Sequence, residues 1–154
     1  MSRPPRPFSP NGHVLITQKS LGGLAIFRDR RDFEHFLAAL ETVVERHGFQ
    51  TLDYVLLPDE IRLLLKPGQA NLSAALHGLF TSAAKFFCQK YGWTGHVFAS
   101  RYHAEPIPKS RLRLTAAALT RAPVRAGLVA TAAAWPFCSC SGQPVVPNGI
   151  IAQR

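Results

Sequence analysis

Apolar residues recur along the chain with two periods, one typical of β-strands and the other typical of α-helices. Short apolar or β-branched runs predict four strands, at His13–Thr17, Phe49–Leu57, Glu60–Lys66 and His96–Ala104. Apolar residues three and four positions apart predict helices at Arg31–His47, Leu72–Tyr91 and Ser110–Thr120, and a short last helix at Val124–Ala134. The predicted order is therefore βαββαβ followed by helices.

Residues that favour helix ends and turns separate these segments. Asp29 is the expected N-cap of the first helix, and Gly48 is its expected end. Pro58 and Asp59 predict a tight turn, so the second and third strands should pair as an antiparallel hairpin. Pro123 should stop the third helix, because proline lacks the N–H that a helix interior requires.

The order of elements matches the split βαβ, or ferredoxin-like, plan of the α+β class. This plan predicts an antiparallel sheet with helices on one face, followed here by C-terminal helices, and it leaves the other face open for a ligand. Four prolines and two arginines predict an extended basic arm at residues 1–12. Residues 13–140 form the expected single domain, and residues 141–154 are expected to be a flexible tail.

Composition excludes several classes of protein. A length of 154 residues fits one domain, and an apolar content of 47% argues against wholesale disorder. No apolar run reaches the ~18 residues of a membrane span, and the first dozen residues lack the apolar core of a signal peptide. Cys88, Cys138 and Cys140 show no CxxC spacing, so we expect neither a disulfide framework nor a structural zinc site. A cytoplasmic protein without a membrane partner fits these features best.

The charge is distributed unevenly along the chain. Residues 1–60 hold seven Lys and Arg against eight Asp and Glu, whereas residues 61–154 hold eleven against one, Glu105. The resulting balances of −1 and +10 sum to the net charge of +9. A strongly basic half favours a polyanionic partner, most commonly nucleic acid. The alternative is a basic surface that only keeps the protein in solution, but that role does not require the near-complete loss of acids from one half.

Six segments, taken in order, carry a resemblance to a known family. They are IFRDRRDFEHFLAAL at 26–40, YVLLPDEIRLLL at 54–65, NLSAALHGLF at 71–80, GHVFASRYHA at 95–104, APVRAGLV at 122–129 and WPF at 135–137. In this order and spacing they resemble the REP-associated tyrosine transposases, a branch of the single-tyrosine HUH transposases that act on single-stranded DNA. The resemblance implies an HUH transposase-like domain over residues 13–140 and a DNA partner, most simply a hairpin with single-stranded parts.

The resemblance also implies a catalytic site whose residues are replaced in this sequence. In the family, two histidines flanking a hydrophobic strand residue hold a divalent metal, Mg²⁺ or Mn²⁺, which polarises the scissile phosphate. A helix tyrosine then attacks, leaving a covalent 5′-phosphotyrosine intermediate. The matching positions here are Glu60, Arg62 and Ala118. Glu60 could still offer one oxygen to a cation, but Arg62 cannot coordinate a metal and alanine has no nucleophile. We therefore expect no metal, no other cofactor and no cleavage by this mechanism.

The replaced strand positions allow two interpretations. Glu60 and Arg62 share one face of their strand, so they could form an exposed ion pair worth about 0–1 kcal/mol. Alternatively, Arg62 supplies positive charge where the metal would have held a phosphate. Further basic residues would then extend a nucleic-acid-binding surface: Lys19, Lys85, Lys90, Arg101, Arg111, Arg113, Arg121 and Arg125. Phe86, Trp93 and Phe98 are candidates for stacking on unpaired bases, although core packing is the commoner role of aromatic residues.

Three functional hypotheses remain open from the sequence. The first is a catalytically inactive, transposase-like protein that binds hairpin DNA. The second is an active transposase or nickase with a displaced nucleophile, for which the sequence offers only Tyr54, Tyr91 and Tyr102. The third is a protein-interaction module whose sheet face or third helix pairs with a partner or, as a homodimer, with a second copy.

Overall fold

The structure, a computed structural model, contains a four-stranded antiparallel sheet in which the strands, counted along the chain, lie in the order second, third, first, fourth. It describes residues 8, 9 and 11–139; most of the predicted arm and all of the predicted tail lie outside these residues. The strands are β1 (His13–Lys19), β2 (Gln50–Leu57), β3 (Glu60–Lys66) and β4 (His103–Ile107). The helices are α1 (Arg30–His47), α2 (Leu72–Tyr91) and α3 (Leu112–Arg125). The α+β class and the hairpin of β2 and β3 are thus confirmed.

Helices α1 and α2 begin and end where local chemistry favours it. The Asp29 side chain accepts a hydrogen bond from the Asp32 N–H, and the Asp32 carboxylate bonds back to the Asp29 N–H, which completes a capping box. Gly48 ends α1 in the left-handed conformation with φ of 80°. Asn71 caps the first turn of α2, and Gly92 ends that helix in the same left-handed way. Both helices therefore match the prediction to within one residue.

One face of the sheet carries the main hydrophobic core. Alternate residues of the central strands, including Ile16 and Leu63, point to this face and are fully buried. They pack against the apolar sides of α1 and α2, which contribute Phe36, Leu76 and Phe87. Burying each such side chain stabilises the fold by about 1.5–3 kcal/mol, so this face holds most of the stability.

The opposite face of the sheet is partly covered, which corrects the expectation that it stays open. Residues Val55 and Leu64 form a second, smaller core with Leu119 and Ala122 of α3. Helix α3 contacts chiefly β2, at one edge of the sheet. Thr17 and Lys19 of β1 and Arg62 of β3 remain at least partly exposed on this face, so only that part of the face is available to a ligand.

Two predicted boundaries near α3 are wrong. The helix continues through Pro123 to Arg125: Pro123 lies in its last turn and is buried against the protein, so packing outweighs the backbone bond that a proline cannot donate. The predicted helix at Val124–Ala134 does not form. Gly127 adopts a left-handed conformation, and the Leu128 N–H bonds to the Pro123 carbonyl, which ends α3. Only a 3₁₀ turn follows, at Ala132–Ala134.

The fourth strand also starts later than the predicted His96–Ala104. Residues 96–102 form an irregular segment fastened to the end of β1 by two backbone bonds: the Leu21 N–H bonds to the Val97 carbonyl at 2.8 Å, and the Ala99 N–H bonds to the Lys19 carbonyl at 3.0 Å. Strand β4 then pairs with His13–Thr17 at the edge of the sheet. An edge position suits Pro106, which has no N–H to donate to a further strand.

The segment after α3 returns to the outer edge of β2. The Trp135 indole N–H donates to the Leu56 carbonyl at 2.9 Å, and the Ser139 hydroxyl donates to Asp53 at 2.8 Å. Cys138 in this segment is disulfide-bonded, although the sequence predicted no disulfide framework, while Cys88 is free. Among the residues that the structure describes, no helix is long and apolar enough to cross a membrane.

Candidate nucleic-acid interface

Glu60 and Arg62 lie side by side on the second face of the sheet and form an ion pair. The Arg62 guanidinium donates to Glu60 Oε2 at 3.0 Å, and the two side chains are 32% and 11% exposed. The first interpretation of these residues, a direct pair, is therefore present in the structure. A divalent metal does not fit here, because Arg62 binds one carboxylate oxygen of Glu60 and its fixed guanidinium charge would repel a cation. No group of three or more His, Cys, Asp or Glu suited to a metal occurs anywhere in the described part of the chain.

None of the three tyrosines has the setting of an accessible nucleophile. Tyr54 is buried, and burial raises the pKa of its hydroxyl to about 12. The Tyr91 hydroxyl donates a hydrogen bond to Asp32. Tyr102 is only 5% exposed and packs against Phe80 with a ring separation of 5.8 Å. Ala118 is exposed on α3 and offers no reactive group.

The C-terminal end of α2 is bound to the N-terminus of α1 by a compact charged cluster. Lys90 Nζ donates to Asp29 Oδ2 at 2.6 Å and to Asp32 Oδ1 at 2.7 Å. Burial alone would raise the pKa of Asp32, but hydrogen bonds from Lys90 and Tyr91 outweigh it and hold that pKa below its ordinary value. Hydrogen bonds to Asp29 and Asp32 raise the pKa of Lys90. The charge of Lys90 is thus neutralised within the chain.

Two of the three aromatic residues proposed for base stacking already stack within the protein. Phe86 lies on the imidazole of His35, with ring centroids 3.7 Å apart. Trp93 stacks on Tyr91 at 4.9 Å, and the guanidinium of Arg28 covers both rings at about 5 Å. Phe98 differs, because it touches Phe80 only edge-on, at 5.7 Å, and lines an open groove.

This groove, of about 1060 Å³, lies between α2 and the irregular segment at residues 95–102. Lys85 of α2 and Arg101 of the segment bring two fixed positive charges to it, and Phe98 and Tyr102 add aromatic surface. No aspartate or glutamate occurs among the described residues that line it. The groove therefore combines positive charge with an accessible ring, which suits an unpaired nucleic-acid strand.

The groove and the charged cluster lie on opposite sides of α2. Residues His77, Thr81 and Cys88 line the groove, whereas Phe86 and Lys90 contact α1. At ~100° per residue, His77 and Phe86 point about 180° apart around the helix axis. Helix α1 and its four acidic residues are consequently kept away from the groove.

The remaining basic residues predicted for binding fall into two further groups. Lys19 and Arg62 lie on the second face of the sheet, since Lys19 pairs in register with Glu60. Helix α3 and its N-cap contain no acidic residue and expose four arginines, Arg111, Arg113, Arg121 and Arg125. Two residues that line the groove, Gln18 and His77, were not predicted from the sequence. Small or polar residues at helical spacing, such as Ala74, His77 and Thr81, are the signal that could have indicated this side of α2.

Solved structures share this fold. The sequence matches no protein-family model and no curated protein. A REP-associated tyrosine transposase bound to a REP hairpin superposes over 100% of this chain and 95% of its own, with a TM-score of 0.70 and 17% sequence identity. A candidate transposase from Deinococcus radiodurans R1 covers 75% of this chain and 93% of its own, with a TM-score of 0.52 and 14% identity.

The protein therefore has a transposase-like α+β fold. Within that class, its architecture is that of the REP-associated tyrosine transposases, as the resemblance of the six sequence segments predicted.

Proposed function

We propose that this protein binds hairpin DNA through an adjoining single-stranded segment and does not cleave it. The observation that carries the proposal is the acid-free groove, in which Lys85 and Arg101 accompany the partly exposed ring of Phe98. Proteins that bind unpaired strands combine a cationic groove that follows the phosphates with rings on which bases stack. A neighbour of the same fold is bound to a REP hairpin, which supports this class of ligand. Such a protein would act in the cytoplasm.

The proposed lack of cleavage rests on the chemistry of the residues. The ion pair of Arg62 and Glu60 does not fit a divalent metal, and the strand positions implied by the resemblance contain no histidine. Tyr102, the candidate displaced nucleophile, is 95% shielded from solvent, given its 5% exposure. A phosphotyrosine intermediate requires direct access of a tyrosine oxygen to the phosphorus, so these features favour binding over reaction.

The test is fluorescence anisotropy with three labelled DNAs: a hairpin carrying a single-stranded flank, a blunt duplex and an unstructured strand. We expect the flanked hairpin to bind most tightly, and each DNA to remain intact on a denaturing gel in the presence of Mg²⁺ or Mn²⁺. Equal, weak binding to all three would contradict the proposed recognition. Metal-dependent cleavage that disappears in Tyr102→Phe would contradict the proposed lack of reaction and support the enzyme hypothesis.

Two matched variants test whether the groove is responsible. Lys85→Ala and Arg101→Ala each remove one positive charge from the groove. Arg46→Ala removes one from the exposed last turn of α1, the helix on the opposite side of α2. We expect the groove variants to weaken binding to the flanked hairpin and the α1 variant to leave it unchanged. An equal loss in all three would mean that the charge acts only through the overall field.

A further inference from the structure

The groove is lined by a polar side chain that no described residue binds. Gln18 of β1 is only 5% exposed as a residue, lines the groove, and its side-chain amide forms no hydrogen bond with the described residues, so the amide is available to a ligand there. Ser20, just beyond the end of β1, does not line the groove; it is 4% exposed, and its hydroxyl oxygen has no partner in the described chain. Polar groups without a partner call for an explanation.

The ring of Phe98 lies next to these polar groups. Ser20 and Phe98 face each other in an isolated antiparallel bridge, which places Phe98 beside the end of β1. Phe98 is partly exposed and leans edge-on against Phe80, so one part of its ring surface is available from the groove. An unpaired amide and an available ring thus occur together in one cavity that Lys85 and Arg101 make positive.

We propose that the groove holds a single unpaired nucleobase, stacked on Phe98, with its hydrogen-bonding edge against the Gln18 amide. This inference rests on the proposed DNA-binding function and names the residue that reads the base. A glutamine amide offers N–H donors beside a carbonyl acceptor, and this pair matches a base edge that presents an acceptor beside a donor.

The chemistry of the amide favours adenine. Adenine presents its exocyclic N6–H₂ group between two ring acceptors, N1 and N7, so either edge can form two hydrogen bonds with glutamine. Guanine presents two acceptors on its N7 edge and matches the amide on its Watson–Crick edge, where O6 lies beside N1–H; cytosine and thymine each match it on their single Watson–Crick edge. Unpaired bases are commonly recognised in this way, by stacking on aromatic rings and by hydrogen bonds to their exposed edges.

The experiment scans the single-stranded flank of the hairpin by fluorescence anisotropy. Each flank nucleotide is replaced in turn by an abasic residue, and the most sensitive position is then filled with each of the four bases. For the wild-type protein we expect one position at which loss of the base weakens binding about ten-fold, because stacking and edge contacts are lost together. Adenine should bind best at that position.

Gln18→Leu tests the assigned reader of the base. Leucine replaces the amide with an apolar side chain of similar size at a position that is only 5% exposed, so the variant should fold, which urea unfolding checks. We expect it to bind all four bases at the sensitive position equally. Gln50→Leu is the matched control, because Gln50 is exposed at the start of β2, the edge strand separated from β1 by β3. It should keep the preference for adenine.

The outcomes separate this inference from the proposed function. If the wild-type protein binds the flanked hairpin but no flank position is sensitive, or if Gln18→Leu keeps the base preference, the base pocket is wrong and DNA binding stands. If the wild-type protein does not distinguish the flanked hairpin from the duplex, the proposed function fails and the pocket fails with it. Equal losses for Phe98→Leu on intact and abasic DNA would also overturn the stacking assignment.

Discussion

The two sides of helix α2 use the same residue type in opposite ways. Lys90 is held between two carboxylates on the side that faces α1, whereas Lys85, five positions earlier, faces a groove lined by no acid among the described residues. Both lysines belong to the basic half of the sequence and contribute equally to its net charge. The net charge of the sequence therefore includes both lysines, but packing in the folded protein leaves only Lys85 available to a ligand.

The largest effect is expected when the carboxylate of Asp32 is removed, because this group is at the centre of the charged cluster that joins α1 and α2. Asp32 is fully buried and accepts hydrogen bonds from Lys90, Tyr91 and the Arg28 N–H. Asp32→Asn removes the negative charge and leaves these donors poorly matched, so the free energy of unfolding should fall by about 3 kcal/mol. Urea unfolding measures this change. The matched control Asp59→Asn lies in an exposed turn and should shift it by less than about 0.5 kcal/mol.

A loss for Asp32→Asn no larger than that of Asp59→Asn would contradict the structural role of the cluster. The DNA affinity of folded Asp32→Asn should stay at the wild-type value, because the cluster lies on the side of α2 away from the groove.

The reciprocal behaviour of the two lysines sharpens the comparison. Lys90→Ala leaves the buried Asp32 without its cation, so it should lower the free energy of unfolding clearly more than Lys85→Ala and leave the salt dependence of DNA binding unchanged. Lys85→Ala should do the reverse: stability stays within about 0.5 kcal/mol, and the slope of log K against log[salt] becomes shallower by about 0.7. If the two substitutions changed stability and the salt dependence of DNA binding to a similar extent, the groove side and the α1-facing side of α2 would not differ in the way proposed.

Low pH should selectively weaken the charged cluster that joins α1 and α2. The pKa of Asp32 is held below its ordinary value of 3.8, so its contribution to stability is fully present above that value and is lost as pH falls through the lower folded-state pKa. As the pH drops below 3.8, the free energy of unfolding of the wild-type protein should therefore fall more steeply than that of Asp32→Asn. Parallel pH curves for the two proteins would contradict the assigned shift.

The smallest expected effect concerns an exposed ion pair on α1. Arg30 and Glu34 bond at 2.8 Å with side chains that are 60% and 47% exposed. Glu34→Gln should therefore lower the free energy of unfolding by only about 0.3–0.5 kcal/mol. A loss of stability comparable to that of Asp32→Asn would contradict the expectation that the exposed Arg30–Glu34 pair contributes less than the buried Asp32 contacts.

The sequence predicted most of the fold because strong local signals mark its elements. Asp29, Gly48 and Gly92 bound the two long helices at their observed ends, and Pro58 and Asp59 form the turn of the β2–β3 hairpin. The errors fall where tertiary contacts override local preference. Burial of Ala122 and Pro123 carries α3 past a proline, and the bonds of residues 97 and 99 to the end of β1 replace the start of the fourth strand.

The candidate interface was less predictable than the fold. The charge pattern of the sequence placed Lys85 and Lys90 on one binding surface. It gave no sign that Lys90 is paired, because the carboxylates that bind Lys90 are about 60 residues away in the sequence. Gln18 looks like any polar residue in a strand. Its place in the groove follows only from how residues 95–102 and α2 lie in the fold, which no sequence period encodes.

The most direct test of the central claim is the salt dependence of binding to a flanked hairpin, measured for the wild-type protein and for Lys85→Ala/Arg101→Ala. If about six phosphates are engaged, the wild-type slope of log K against log[salt] should be near −4. Removing two contacts should bring it to about −2.6, at about −0.7 per phosphate on single strands. A wild-type slope near zero, or identical slopes for the two proteins, would contradict the account of an acid-free groove that binds an unpaired DNA strand.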